Sequence, residues 1–238
     1  MIKAVFFDMY GTLAGFEPSR FDVQTTACAD FGITLTPKGI LKGYASADEF
    51  MVKEAAIKPL GHRTKRERES FFAEYERLVL RGSGIEISLK TASQVWDRLR
   101  QIPYRLTPFE DVEPVLTHIK SRGLITGMIS NIDQGGGNVI DELGISHLID
   151  LAVTSIEAGA AKPDPAIFLT ALSKAGVAGE EAVHVGDQPS SDIDGAIRSG
   201  INAILIDRDG NHPEYSACPR IETLLEIPDI LKIFKSNL

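Results

Sequence analysis

The chain has 238 residues, of which 43% are hydrophobic and 24% are charged, and its formal net charge at pH 7 is −8. This length suits one large globular domain or a core with a smaller insert. The negative charge argues against nucleic acid or an anionic membrane as the main partner, but it permits a small anionic substrate at a locally positive site. No stretch approaches the ~20 apolar residues of a membrane span. With two cysteines and no signal peptide in "MIKAVFFDMY", we expect a cytoplasmic protein.

Five short apolar runs predict buried strands. They lie at Ile2–Phe7, Leu124–Ser130, Leu148–Ser155, Ala182–Asp187 and Asn202–Asp207. Helix-like stretches separate the later runs. Strands that alternate with helices form parallel sheets with right-handed crossovers. We therefore predict an α/β fold with a Rossmann-like parallel sheet as its core.

Residues 16–104 have a different pattern, rich in Lys, Arg and Glu and poor in strand-like runs. The segments "TKRERESFFAEYERLVLRG" and "SLKTASQVWDRLRQI" have the spacing of amphipathic helices. We predict an α/β core made of residues 1–15 and 105–238, interrupted by an all-helical insert at residues 16–104. The sequence permits a monomer or a homodimer.

Polar side chains stand at, or shortly after, the ends of four predicted strands. In a parallel α/β sheet, ligands bind at the carboxyl ends of the strands. We therefore expect these residues to form one site, and they are Asp8, Ser130, Asn131, Lys162, Asp187 and Asp192.

Residues of these types can perform hydrolysis through a covalent intermediate. A carboxylate such as Asp8 can be a nucleophile whose acyl product is later cleaved by water. Lys162 can neutralise the charge of an anionic substrate. Ser130, with Asn131 beside it, can bind substrate oxygens through hydrogen bonds.

The acidic residues also suit a metal ion. Asp8 and Asp187 offer hard oxygen ligands for Mg²⁺, which proteins usually hold through one or two carboxylates plus water and substrate oxygens. Asp192 can orient these groups from outside the coordination sphere. We expect Gly11 to allow a sharp turn after the first strand, and the hydroxyl of Thr12 to anchor the loop.

Four motifs in order, "FFDMYGTL", "ISN", "KPDPAIF" and "VGDQPSSD", resemble those of the haloacid dehalogenase superfamily of hydrolases. The helical insert stands where that family places its cap domain. The resemblance implies that Asp8 is the nucleophile, that Ser130 and Lys162 bind the substrate anion, and that Asp187 completes a Mg²⁺ site. It also implies that the backbone carbonyl of Tyr10 is a metal ligand.

Tyr10 occupies a catalytic position and leaves the reaction open. Phosphatases of the family usually carry a second aspartate there, which protonates the leaving alcohol and then activates water. Tyrosine, with an ordinary pKa near 10, is a poor substitute. The dehalogenase branch carries Tyr at this place, because halide leaves without a proton.

The other motifs favour a phosphatase. Dehalogenases of the family work without metal and usually show Ser and Asn in the fourth motif, where this chain has the acidic "GDQPSSD". They also place an arginine in the cap some thirty residues after the nucleophile, where this chain has "ITLTPKGILKGY" without arginine, and Arg20 lies too early to match it. We expect Mg²⁺-dependent hydrolysis of a small phosphate ester or anhydride, with 2-haloacid dehalogenation or a catalytically idle binding protein as alternatives.

Overall fold

The structure, a computed structural model, describes residues 1–132 and 135–234, in which strands and helices alternate. Its strands are β1 (Ala4–Phe7), β2 (Ala14–Glu17), β3 (Arg105–Pro108), β4 (Ile125–Ser130), β5 (Leu151–Thr154), β6 (Ala182–Gly186), β7 (Asn202–Ile206) and β8 (Arg220–Ile221). Its α-helices are α1 (Arg20–Ala29), α2 (Pro37–Ile57), α3 (Lys65–Gly82), α4 (Leu89–Leu99), α5 (Val112–Ser121), α6 (Gly136–Glu142), α7 (Ser155–Ala158), α8 (Pro165–Ala175), α9 (Asp194–Arg198) and α10 (Ile227–Ile233).

These elements are divided between two compact units. One consists of Met1–Gly15 and Thr107–Leu238, and the other is the inserted segment Phe16–Leu106. The paired strands β2 and β3 contain both points at which the chain passes from one unit to the other. Within the described residues, no helix combines the length and the apolar character that a membrane span requires.

The larger unit is built on a parallel sheet with the strand order β5–β4–β1–β6–β7–β8. Strand β1 lies inside the sheet, with Phe7 opposite Met128 of β4 on one side and Val185 of β6 on the other. All four residues of β1 are fully buried. Successive side chains of a strand point to opposite faces, so both faces of the sheet are covered here. The predicted α/β fold with a Rossmann-like parallel sheet is confirmed.

The five predicted strands are present, and the sequence missed β2, β3 and β8. Strand β8 has only two residues, Arg220 and Ile221, which is too short for an apolar run to stand out. Strands β2 and β3 are four residues long and partly exposed, so they lack the continuous hydrophobicity that marks the central strands.

Helix α8 fixes the end of the loop that contains Lys162. Asp164 caps the helix by accepting a hydrogen bond from the backbone N–H of Ala166 at 2.9 Å, and Pro165 occupies its first turn. Ile167 and Phe168 on one side of the helix are fully buried in the core beside the sheet. The loop therefore ends at a helix whose apolar side packs against the sheet.

The inserted unit is helical, as predicted, and contains α1, α2, α3 and α4. Helix α3 begins with a capping box in which the side chains of Thr64 and Glu67 each bind the other's backbone N–H. Helices α2 and α3 approach closely at Gly43, where a Cβ atom would overlap the carbonyl of Val79. The sequence predicted α3 and α4 individually but not α1 and α2.

A carboxyl group is fully buried inside the inserted unit. Glu76 of α3 accepts a hydrogen bond from the side-chain amide of Gln24, whose own oxygen accepts one from the hydroxyl of Tyr44 at 3.0 Å. Among the described residues, Oε2 of Glu76 has no hydrogen-bond partner. Burial raises the pKa of Glu76 from about 4.5 to about 7, although the hydrogen bond from Gln24 acts in the opposite direction.

This buried carboxyl group makes the stability of the inserted unit depend on pH. Because the folded-state pKa is the higher one, the stabilisation is complete below about pH 4.5 and is lost as the pH rises through about 7. The loss across this interval is expected to reach about 3 kcal/mol. Glu76→Gln removes the titrating group, so the variant is expected to gain stability relative to wild type between pH 5 and pH 8.

Urea unfolding followed by the fluorescence of Trp96 measures this difference, because the chain's single tryptophan belongs to the inserted unit and stacks on Phe72. Glu69→Gln is the matched control, since Glu69 lies on the same helix with an exposed side chain. A stability difference between Glu76→Gln and wild type that stays constant from pH 5 to pH 8 would contradict the assignment.

Candidate active site

Asp8 follows β1 directly, in the middle of the sheet edge at which all the strands end. Its backbone N–H donates to the carbonyl of Val185 in β6 at 2.9 Å, so the loop leaves the sheet at a fixed point. Ser130 ends β4 on one side, and Asp187 follows β6 on the other. Asp8 and Ser130 are both buried, with exposed fractions of 7% and 2%. The parallel register therefore places these three predicted residues at one edge.

Lys162 brings a buried positive charge to this edge. Its ammonium group forms an ion pair with Asp8 and a second one with Asp192 at 2.6 Å, and the residue is only 5% exposed. Two buried carboxylates thus share one ammonium group. A buried charge is tolerated only when it is paired in this way.

The backbone of Lys162 is held by Asn131. The backbone N–H of Lys162 donates to Oδ1 of Asn131 at 2.6 Å, and Nδ2 of Asn131 donates to the carbonyl of Lys162 at 2.9 Å. We expected Asn131 to bind substrate. In the structure, both ends of its amide fix the lysine loop against the end of β4.

Asp192 is surrounded by donors from the protein. Besides Lys162, it accepts hydrogen bonds from Nε2 of His184 at 3.0 Å and from the backbone N–H of Gln188 at 3.1 Å. His184 is fully buried, with its ring edge-on to Phe168, and it contacts the site through Asp192.

Asp8, Asp187 and Asp192 form a cluster that could hold a metal ion. Each contributes one carboxylate oxygen, and these three oxygens lie within 4.8 Å of one another. Gly11 makes the cluster possible: it has a φ of +74°, and a Cβ atom there would overlap the carboxylate of Asp187. Because Asp192 is already bound by Lys162, His184 and Gln188, Asp8 and Asp187 are the pair that suits Mg²⁺.

The surroundings shift the pKa values of the charged groups at the site in different directions. Burial raises the pKa of Asp8 to about 6, and the carboxylate of Asp192 adds to this rise, while Lys162 opposes it. Burial would also raise the pKa of Asp192, but Lys162 and His184 lower it to about 2. Burial would lower the pKa of Lys162, but the two carboxylates hold it above its usual range. The surroundings therefore favour the charged forms of Lys162 and Asp192, whereas burial disfavours the charged form of Asp8.

The loop after Asp8 is fixed differently from what the sequence suggested. Thr12 is fully buried, but its hydroxyl has no hydrogen-bond partner within the described part of the chain. Instead, the guanidinium group of Arg208 donates to the carbonyl of Thr12 at 2.8 Å and to that of Gly11 at 3.2 Å. Tyr10 is partly exposed and forms a bridge to Ala14 within the same loop.

Sequence reasoning missed Arg208. A signal was available, because Arg208 follows the predicted strand "NAILID" and so stands at the same sheet edge as the other polar residues. Because Arg208 is far from the loop in the sequence, its contact with the loop could not be predicted.

Comparison with known proteins agrees with this architecture. The family model described as haloacid dehalogenase-like hydrolase matches residues 2–200. A glyceraldehyde 3-phosphate phosphatase of Methanopyrus kandleri is 30% identical over 210 residues, which are 87% of this chain and 85% of that protein. A phosphoserine phosphatase of Thermus thermophilus is 34% identical over 127 residues, which are 53% of this chain and only 49% of that protein.

Among solved structures, a 2-haloacid dehalogenase of Pseudomonas syringae pv. Tomato is 26% identical, with a TM-score of 0.57 over 98% of this chain and all of that one. Phosphatases and dehalogenases are thus both among the similar proteins. The family model alone spans more than half of the sequence, including the loop of Asp8, Lys162 and the acidic residues after β6. The chain therefore belongs to the haloacid dehalogenase-like hydrolases.

Proposed function

We propose that the chain is a Mg²⁺-dependent phosphatase that hydrolyses a small phosphate ester or anhydride through a phosphorylated Asp8. The observation that carries this proposal is the cluster of Asp8, Asp187 and Asp192, in which the ammonium group of Lys162 pairs with Asp8 and Asp192. An anionic substrate would add further negative charge. A divalent cation beside Asp8 and Asp187 would balance that added charge.

In the first step, Asp8, Lys162 and Ser130 have separate roles. The carboxylate of Asp8 attacks phosphorus, and an oxygen–phosphorus bond forms as the bond to the leaving oxygen breaks. Lys162, held in place by Asp192 and by the amide of Asn131, neutralises the oxygens of the phosphoryl group. Ser130, at the end of β4, donates a hydrogen bond to one of them. In the second step, water attacks the same phosphorus and releases inorganic phosphate and the carboxylate of Asp8.

The metal site would comprise the carboxylates of Asp8 and Asp187 together with the backbone carbonyl of Tyr10. Bound Mg²⁺ would supply positive charge that stabilises the oxygens of the transferring group. Asp192 acts on the site through Lys162. Gly11 keeps the loop close to Asp187, because any side chain there would displace that carboxylate.

Tyr10 limits the leaving groups that this site can process. The phenol, as a weak acid, protonates a departing alkoxide poorly at neutral pH. The enzyme therefore favours leaving groups that depart without a proton, such as phenolates or phosphates. The same feature supports the second candidate reaction, halide release from a 2-haloacid, for which the similar Pseudomonas dehalogenase is an argument. Dehalogenases of the family work without metal, so the suitability of Asp8 and Asp187 for a cation favours phosphate chemistry.

Hydrolysis of p-nitrophenyl phosphate tests the proposal, because this substrate needs no general acid. Wild-type enzyme with Mg²⁺ is expected to turn over, and Asp8→Asn is expected to lose at least ~10³-fold in kcat, because it lacks the nucleophile. Excess chelator is expected to abolish turnover, and added Mg²⁺ to restore it.

Asp194→Asn is the control for this experiment. Asp194 begins α9 close to the acidic cluster in sequence, but its side chain is exposed and it does not belong to the cluster. This variant is expected to retain wild-type kcat and KM. Turnover that survives in Asp8→Asn or in chelator would refute the phosphatase mechanism. Mg²⁺ binding without any turnover would indicate the idle binding protein.

The role of Tyr10 predicts a change in leaving-group preference. Wild type is expected to hydrolyse p-nitrophenyl phosphate at least ~10²-fold faster than an alkyl phosphate, because it lacks an efficient general acid. Tyr10→Asp introduces such an acid and is expected to raise kcat for the alkyl ester by about 10²-fold or more, with little change for the aryl ester.

The ratio of the two rates, measured with both enzymes, checks this expectation, and Tyr10→Phe is the control for loss of the hydroxyl alone. Equal rates for alkyl and aryl esters in wild type would contradict the role assigned to Tyr10. Release of halide from 2-chloropropionate by chelator-treated wild type, together with no release of p-nitrophenol, would establish the dehalogenase instead.

A further inference from the structure

Arg208 connects the segment after β7 to the loop that follows Asp8. It stands two residues after β7 and donates to two consecutive backbone carbonyls, those of Gly11 and Thr12, at 3.2 and 2.8 Å. These residues come directly after Tyr10. Arginine is suited to this contact, because its planar group presents several donors in a fixed arrangement.

Arg208 is itself held on two sides. Asp111 accepts two hydrogen bonds from its guanidinium group, both at 2.9 Å. The guanidinium carbon lies over the ring of Phe109, 4.0 Å from the ring centre. A bidentate pair of this kind restricts both position and orientation. The guanidinium group is therefore a rigid support rather than a mobile surface charge.

Asp111 is fixed in turn by the C-terminal part of the chain. It accepts hydrogen bonds from the hydroxyl of Thr223 at 2.7 Å and from the backbone N–H of Leu224 at 2.9 Å. Burial would raise the pKa of Asp111, but Arg208 and these donors lower it, so the carboxylate stays charged. Two segments, the loop after Asp8 and residues 109–111, thus contact Arg208, and the second is itself held by residues 223–224.

The loop itself is tied mainly by short-range hydrogen bonds. The N–H groups of Leu13 and Ala14 both donate to the carbonyl of Met9, at 2.9 and 2.8 Å, and the hydroxyl of Thr12 has no partner in the described segments. Such bonds define the shape of the loop. Its place relative to β6 is set at its start by the bond from the N–H of Asp8 to Val185, and further along by the N–H of Phe109, which donates to the carbonyl of Leu13 at 3.1 Å, and by Arg208. That place matters, since Gly11 already lies against the carboxylate of Asp187.

We propose that Arg208 is a positioning residue that sets the spacing between the loop after Asp8 and the carboxylate of Asp187, an inference that rests on the proposed function. Loss of the guanidinium group would let the carbonyls of Gly11 and Thr12 shift. The carboxylate of Asp8, and with it the carbonyl of Tyr10 in the proposed metal site, would then no longer be held at a fixed separation from Asp187. Cation binding and turnover would both weaken, while the parallel sheet would remain intact.

The test compares wild type with Arg208→Met and Arg208→Lys in the chain of 238 residues. In Arg208→Met, Mg²⁺ affinity measured by isothermal titration calorimetry is expected to fall by about 10- to 100-fold, the range for groups that orient metal ligands. The kcat for p-nitrophenyl phosphate is expected to fall at saturating Mg²⁺. Arg208→Lys, which can reach one carbonyl but not form the fork, is expected to recover part of both losses and serves where Arg208→Met does not fold.

Thr126→Val is the matched control for loss of stability. Thr126 lies in β4 and is fully buried, and its hydroxyl donates to the carbonyl of Leu148 at 2.6 Å and to Asp150 at 3.0 Å, without contact to the loop after Asp8. This variant is expected to lower Tm while leaving Mg²⁺ affinity and kcat unchanged. If Arg208→Met lowers Tm similarly but binds Mg²⁺ and turns over like wild type, Arg208 is merely structural and the inference fails.

Hydrogen exchange separates this inference from the proposed function. Arg208→Met is expected to speed amide exchange in a peptide covering residues 9–14, relative to both wild type and Thr126→Val. Unchanged exchange in that peptide would overturn the positioning role, whatever the Mg²⁺ result. If wild type neither binds Mg²⁺ nor hydrolyses p-nitrophenyl phosphate, the proposed function fails, while the exchange rates still decide whether Arg208 fixes the loop.

Discussion

The ion pairs of the buried Lys162 ammonium group with Asp8 and Asp192 are the interaction around which the site is organised. Burying charged groups is costly unless they are paired, so each of these residues needs the others. Asp8 reaches the pair from the middle strand of the sheet and Asp192 from the segment after β6. Lys162 reaches it from a loop fixed by Asn131. Burial raises the pKa of Asp8, so a cation beside it would favour the charged carboxylate that the proposed mechanism needs.

Much of the fold and the site edge could be predicted from the sequence. Continuous apolar runs marked the central strands, and polar residues at their ends marked one edge of the sheet. The contacts of Asn131, His184 and Arg208 could not be predicted in the same way. Each depends on a side chain reaching across the structure: Asn131 to the backbone of Lys162, His184 to Asp192, and Arg208 to the loop after Asp8. Such contacts follow from the three-dimensional packing and leave no periodic pattern in the chain.

The anchoring of the loop after Asp8 shows the same limit. A buried threonine beside a nucleophile suggests a hydroxyl that holds the loop, yet the hydroxyl of Thr12 has no partner among the described residues, and its carbonyl is bound instead. The backbone offers an acceptor whatever the side chain is, so the identity of residue 12 carries no information about this contact. By contrast, Tyr10 carries chemical information directly, because a phenol and a carboxylate differ by several pKa units as acids.

The central claim is that Asp8 becomes phosphorylated during turnover, and rapid acid quenching followed by peptide mass spectrometry tests it most directly. During hydrolysis of p-nitrophenyl phosphate with Mg²⁺, the peptide containing Asp8 is expected to gain the mass of a phosphoryl group. Asp8→Asn is expected to show no such adduct. Turnover without any adduct on Asp8, or an adduct that forms on another residue, would contradict the account.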